Sequence, residues 1–244
     1  MQQTSAIRAV IWDFDGTLVD SRSKNLAVTR TILERILGPG AAEIEPLRGV
    51  DAYDSATRRA RHWRELYVRE FGLSPEVTEH AGRLWEELQL EDPTPWPFFD
   101  GVPEALSDLS GVPQGVVSQN STSMIEKALD MANLRGFFGS IIGHESVALD
   151  KQKPHPEGLF QCLRHLQVSA TSDREGIVLF VGDHEVDMSC AREANRQLEA
   201  QKSRLRVRSV GAFYGALSAT DPWSSQPDHA AHHPQDISRL VTDH

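Results

Sequence analysis

Ile7-Arg8-Ala9-Val10-Ile11-Trp12-Asp13-Phe14-Asp15-Gly16-Thr17-Leu18-Val19-Asp20 is the stretch that decides the reading of this chain. Its apolar run, residues 9–12, is too short for a helix and stops at two carboxylates separated by a single residue. Such a run predicts a buried parallel strand. A strand that ends in Asp-x-Asp sets both acids at the carboxyl edge of a sheet, where open α/β folds bind their ligands. Gly16 then permits a turn that a Cβ would hinder. Two carboxylates this close repel each other unless a cation or a shared proton relieves them. Mg²⁺, a hard ion that prefers oxygen ligands, is the expected partner.

Downstream of Asp20 the pattern turns helical. Apolar positions at Leu26, Val28, Ile32, Leu33, Ile36 and Leu37 predict a helix over 22–37, ended by Gly38-Pro39-Gly40, with Ser21 or Ser23 as cap. One helical region is expected over 52–71 and another over 75–90, the latter with Ser74 as N-cap and Pro75 in its first turn. Glu91-Asp92-Pro93-Thr94-Pro95-Trp96-Pro97 then reads as a linker. Residues 21–96 are therefore expected to form a helical cap domain inserted between the first strand and the rest of the sheet. Residues 1–20 and 97–244 are expected to form the core.

From Asp100 onward helices and strands alternate. Helices are predicted over 103–109, 121–131, 157–166 and 185–200, and strands over 112–118, 140–143, 177–181 and 207–211. This alternation implies a doubly wound parallel sheet of the Rossmann type. Residues 215–234 read as loop-rich, and His229, His232 and His233 as residues of a surface loop rather than a metal tract.

Chemistry-bearing residues follow four of these strands. They are Asp13 and Asp15; Ser118, Gln119 and Asn120; Lys153, with Lys151 as competitor until Pro154 and Pro156 favour Lys153; and Gly182-Asp183-His184-Glu185-Val186-Asp187. In a parallel sheet these carboxyl ends share one edge and can converge. Together they suit phosphoryl chemistry. Mg²⁺ on Asp13, Asp183 and Asp187 can screen a carboxylate from a phosphate dianion. Lys153, Ser118 and the amide of Gln119 can hold phosphoryl oxygens. Asp13 can attack phosphorus, and Asp15 can protonate the leaving alkoxide. Asp187 also has a simpler reading, as a first-turn acid favoured by the helix dipole.

The set resembles the haloacid dehalogenase superfamily of phosphatases, whose four motifs are matched in order by Asp13-Phe14-Asp15-Gly16-Thr17, Ser118, Lys153 and Gly182-Asp183-x-x-x-Asp187. The resemblance covers the whole chain, because a helical cap between the first two motifs is typical of one class. It implies Asp13 as nucleophile, Asp15 as general acid/base that also offers its backbone carbonyl to Mg²⁺, Asp183 as a direct ligand, and Asp187 as a ligand or its support. It implies Ser118 and Lys153 as phosphate holders. Dehalogenases lack the second acid that Asp15 supplies, and Lys24 is a poor match for the cap lysine of phosphonate hydrolases. The branch that looks most similar is the phosphoglycolate phosphatase-like one, with a small phosphorylated metabolite as substrate. A sugar phosphomutase using the same site, or a non-catalytic binding protein of the same fold, are the alternatives. Arg48, beside Gly49 on a cap loop, is the expected contact for a second anionic group. The basic run Arg58–Arg64 reads as a solvated helix face.

Whole-chain properties agree. With 244 residues, 39% hydrophobic and 25% charged, the chain is ordinary for a globular protein, and its net charge of −10 argues against a nucleic-acid partner. Two cysteines make no disulfide framework, and no apolar stretch suffices for a membrane span. The first strand begins within a few residues of Met1, so no signal peptide and a cytoplasmic location are expected.

Overall fold

The structure, a computed structural model, describes residues 6–60, 62–169, 175–215 and 223–242. Arg61 of the basic run, residues 1–5 ahead of the first strand and 216–222 of the loop-rich segment lie outside the described residues. Two compact units emerge, one of residues Met1–Val19 with Phe98–His244 and the other of Asp20–Pro97.

The first unit is built on a six-stranded sheet. Its strands are β1 (Ile7–Trp12), β2 (Gln114–Val117), β3 (Ser140–Ile142), β4 (Gly176–Gly182), β5 (Leu205–Ala212) and β6 (His229–Ala231), in the order β3-β2-β1-β4-β5-β6. Every neighbouring pair is parallel. The order reverses direction at β1, so the crevice for a ligand opens at the carboxyl ends of β1 and β4.

Both faces are covered by helix, which is why β1 is apolar at consecutive positions instead of alternating. Ala9 and Ile11 join Val178 and Phe180 in a buried cluster with Leu159, Cys162 and Leu163 of the helix Glu157–His165 and Cys190, Ala191, Ala194 and Leu198 of the helix Glu185–Ala200. Trp12 points the other way, donating its indole N–H to Gln114 Oε1 at 3.1 Å. The Gln114 amide in turn donates to the carbonyl of Leu106 in the helix Val102–Asp108. A buried indole needs a partner for its polar end.

The second unit is helical, with α1 (Arg22–Leu37), α2 (Val50–Arg59), α3 (Trp63–Arg69) and α4 (Pro75–Glu91). Its core holds Leu26, Val28, Ile32 and Leu33 from α1, with Tyr53, Ala56, Leu66, Tyr67, Ala81 and Leu88 from the others. Ser74 caps α4 by accepting from Val77 N, whereas Ser21 stands at the N-cap of α1 without a side-chain cap bond. The single helix expected over 52–71 is two. Ala60 is extended, and the His62 ring accepts from Glu65 N to start α3 afresh. A continuous amphipathic pattern does not register such a break, because both helices present their apolar side to the same core.

Asp20 N donates to Pro97 O at 2.8 Å, joining the two ends of the insert. Lys24 is buried there, its Nζ 2.6 Å from the Asp92 carbonyl and 5.2 Å from the centre of the Trp96 ring. The described arginines of the basic run pair with acids of their own unit: Arg58 with Asp54, Arg59 with Glu70, Arg64 with Glu79.

Following the order of the chain, the remaining helices are α5 (Val102–Asp108), α6 (Thr122–Met131), α7 (Glu157–His165), α8 (Glu185–Ala200) and α9 (Gln235–Thr242). β6 lies within the loop-rich stretch 215–234 and corrects the loop reading of His229, and α9 follows that stretch. His229 is a strand residue, opposite Val210 of β5. His232 stacks on the Phe213 ring with centroids 6.0 Å apart. Three strand residues carry no usable periodicity, and what holds them is a side chain: Asp228 Oδ2 accepts from both Ser209 N and Ser209 Oγ of β5, at 2.8 and 3.0 Å. Asp236 likewise gathers the amides of His232 and His233 at 2.9 Å each to start α9. Among the described residues no helix is long and apolar enough to cross a membrane.

Candidate active site

The sheet delivers the acids of the first unit to one edge. β1 ends with Asp13 N donating to Val181 O of β4 at 2.8 Å, so the first acid leaves β1 still paired to its neighbour. The chain then turns tightly, with Leu18 N and Val19 N both donating to Phe14 O and Gly16 N donating to Val19 O. Gly16 has φ +78°, and a Cβ there would overlap the Asp183 carboxylate. Glycine is required twice over, for the left-handed backbone and for the close approach. Gly182, at the end of β4, is bare for the second reason alone, since a Cβ would meet the Asp187 carboxylate.

Carboxylate oxygens of Asp13, Asp183 and Asp187 all lie within 4.8 Å of one another. Lys153 sits among them. Its Nζ donates to Asp13 Oδ1 and to Asp187 Oδ1, both at 2.6 Å, and all three side chains are buried. Lys151 is exposed, with Nζ 3.3 Å from His155 Nε2. Asp187 is also part of a capping box: its Oδ2 accepts from His184 N at 3.3 Å, while the His184 ring accepts from Val186 N. Asp187 thus gives one oxygen to the lysine and the other to the start of its helix.

Electrostatics follow from this burial. Desolvation, opposed by Lys153 and reinforced by Asp187, pushes Asp13 up to about 6. Burial works against charge on Lys153, but Asp13 and Asp187 outweigh it and hold the ammonium above the ordinary lysine value. Burial pushes Cys190 up to about 12, with Lys153 opposing and Asp187 adding, so the thiol beside the site is kept protonated and inert.

The other groups come from β2 and from the loop after β5. Ser118 follows β2, its amide donating to Ile142 O and its Oγ accepting from Asn120 N at 3.1 Å. The Gln119 side chain donates to the Lys153 carbonyl at 3.2 Å, tying the lysine loop to the end of β2. Asn120 Nδ2 donates to Asp15 Oδ2 at 3.0 Å. Thr17 Oγ1 lies 3.5 Å from Asp183 Oδ1. Tyr214 donates its hydroxyl to the Thr17 carbonyl at 2.9 Å and meets Phe99 edge to face at 5.6 Å. Burial raises the Tyr214 phenol, with Asp183 and Asp13 adding, so it remains a neutral donor. Arg48 belongs to the inserted unit, where it is exposed between a 3₁₀ turn and α2.

Sequence reasoning passed over the contacts of Asn120, Thr17 and Tyr214. Asn120 was legible only as a polar residue after a strand; nothing local marks Tyr214.

The donor set suits a hard divalent cation. Asp13, Asp183 and Asp187 bring three carboxylates around one ammonium, and every candidate ligand is oxygen. Both oxygens of Asp187 are already engaged, so Asp13 and Asp183 are the side chains best placed to hold one.

A family model described as haloacid dehalogenase-like hydrolase matches residues 10–200. A phosphoglycolate phosphatase of Yersinia pseudotuberculosis is 31% identical over 205 residues, covering 80% of each chain. One of Pectobacterium atrosepticum is 28% identical, covering 99% of this chain and 95% of its own. Among solved structures, a haloacid dehalogenase-superfamily hydrolase from Geobacter sulfurreducens is 28% identical with a TM-score of 0.62, covering 98% of this chain and 99% of its own.

Proposed function

Because the chain belongs to the haloacid dehalogenase-like hydrolases, we propose that it is a Mg²⁺-dependent phosphatase that hydrolyses a small phosphate monoester through an aspartyl phosphate on Asp13. The observation that carries this reading is the Lys153 bridge, in which one buried ammonium holds Asp13 and Asp187 beside Asp183. It fixes one oxygen of Asp13 and with it the direction of the other, which a nucleophile in line with a leaving group requires.

The carboxylates of Asp13 and Asp183 and the backbone carbonyl of Asp15 would hold the ion, with Asp187 supporting Lys153 behind them. When bound, the ion screens the nucleophile from the phosphate and stabilises charge on the transferring group. Asp13, mostly ionised at neutral pH with a value of about 6, attacks phosphorus. The bond to the alcohol oxygen breaks, and the alkoxide takes a proton from Asp15. Asp15, now a carboxylate, deprotonates water, which attacks the same phosphorus. The bond to Asp13 breaks, inorganic phosphate leaves, and both acids return to their starting states. Lys153, Ser118 and the Gln119 amide hold the phosphoryl oxygens.

The names of the relatives support a substrate with a second anion, phosphoglycolate first among them. We assign Arg48 to that second anion and the inserted helical unit to the role of a cap that excludes water. The test is phosphate release from a panel of esters with and without Mg²⁺, on wild type, Asp13→Asn and Asp15→Asn. Metal-dependent release by wild type, lost in both variants, is expected. Full release by Asp13→Asn, or none from any ester by wild type, would overturn the reading.

A further inference from the structure

On the reading above, Asp15 must deliver a proton in one half of the reaction and collect one in the other. That demands a carboxylate fixed in space. Asp13 has Lys153 for this, but Asp15 lies past the end of β1, in the turn.

Asn120 supplies the constraint. It is 7% exposed, and its side chain is bonded at both ends: Nδ2 donates to Asp15 Oδ2 at 3.0 Å, and Oδ1 accepts from Ser121 N at 2.8 Å. Its main chain is held as well, with its N–H donating to Ser118 Oγ and its carbonyl accepting from His144 N. These partners also fix which end of the amide is nitrogen. A backbone N–H can only donate and an ionised carboxylate can only accept, so a flipped amide would face like against like at both ends.

We propose that Asn120 is a positioning residue of the reaction, which orients the Asp15 carboxylate and reserves Oδ2 as an acceptor, so that the proton exchanged with substrate travels on Oδ1. An amide NH₂ cannot accept a proton, so a hydroxyl on Oδ2 would set hydrogen against hydrogen. A proton on Oδ1 leaves Oδ2 the carbonyl-like oxygen that the amide prefers. Asn120 also ties the acid to Ser118, joining the proton-transfer group to a phosphate holder through one residue. The proposal rests on the assignment of Asp15 as acid/base.

The leaving group is the discriminating probe. p-Nitrophenolate departs without protonation, whereas an alkoxide does not, and both esters need Asp15 as base when the aspartyl phosphate is hydrolysed. Asn120→Asp keeps the acceptor for Ser121 N but removes the donor to Asp15, and Asn120→Ala removes both. With saturating Mg²⁺, the expected result for Asn120→Asp is a loss of about 10²-fold in kcat on the alkyl phosphate that wild type turns over fastest, with KM changed by less than about 3-fold. With p-nitrophenyl phosphate the first-turnover burst should keep its wild-type rate while the steady state slows. Thermal melting establishes that the variants fold, and if Asn120→Asp does not, the same rates are read on Asn120→Ala. A folded variant with wild-type kcat on the alkyl ester, or one whose burst slows as much as its alkyl turnover, overturns the proposal. Asp15→Asn run alongside separates the two levels. If it stays active the acid/base assignment fails, and if it is inactive while Asn120→Asp matches wild type, only the role of Asn120 falls.

Discussion

Lys153 Nζ lies 2.6 Å from Asp13 Oδ1, a charge pair between side chains 140 residues apart that joins the lysine loop to the end of the first strand. The same ammonium holds Asp187 at the same distance. Removing the lysine would leave two buried carboxylates facing each other, and breaking a buried pair from one side costs about 3–5 kcal/mol. Lys153→Met is therefore expected to be markedly less stable in urea unfolding at pH 7. Asp13 would rise further, because the group that lowers it is gone while Asp187 remains. Phosphatase activity should fall by about 10³-fold or more, since nucleophile orientation and phosphoryl charge stabilisation are lost together. Activity within tenfold of wild type would remove Lys153 from the machinery.

Gly16 yields a second prediction. Alanine there has to adopt φ +78° and drive its Cβ into the Asp183 carboxylate. The backbone conformation alone costs about 1–2 kcal/mol. Displacing Asp183 should weaken the cation site more than it weakens the fold. In a Mg²⁺ titration of activity, Gly16→Ala is expected to need at least about tenfold more metal for half-maximal rate. An unchanged midpoint would mean that Asp183 is not a ligand.

The sheet was legible because its signals are local. An apolar run that stops at Asp13, a second that stops at Gly182-Asp183, and helix-strand alternation between them suffice for a parallel doubly wound order, and that order places strand-end residues on one edge. What joins them is not local. Asn120 meets Asp15 across 105 residues and Tyr214 meets Thr17 across 197, through bonds that depend on the final packing rather than on any spacing in the chain. The choice between Lys151 and Lys153 rested on neighbouring prolines; in the fold Lys153 is buried between two acids while Lys151 is exposed. β6 and α9 escaped for a related reason. A three-residue strand and an eight-residue helix are too short to show a period, and each has at its start one aspartate whose side chain gathers two hydrogen-bond donors.

One of those aspartates gives a pH-dependent prediction. Burial alone would raise Asp228, but donation from the Ser209 amide and hydroxyl, with Arg208 adding, outweighs it and holds the carboxyl below its ordinary value of 3.8. A group whose pKa is lower folded than unfolded contributes stability that is present above the unfolded value and disappears as pH falls through the folded one. Asp228→Ala should therefore be less stable than wild type by about 1 kcal/mol at pH 7, from the lost hydrogen bonds that fasten β6 to β5. The difference should hold steady from pH 8 to pH 5 and shrink below pH 3.8 as the wild-type carboxyl takes up its proton. Urea unfolding of both proteins between pH 3 and pH 8 measures this directly. A gap as wide at pH 3 as at pH 7 would show that the ionised form of Asp228 contributes nothing to the edge of the sheet.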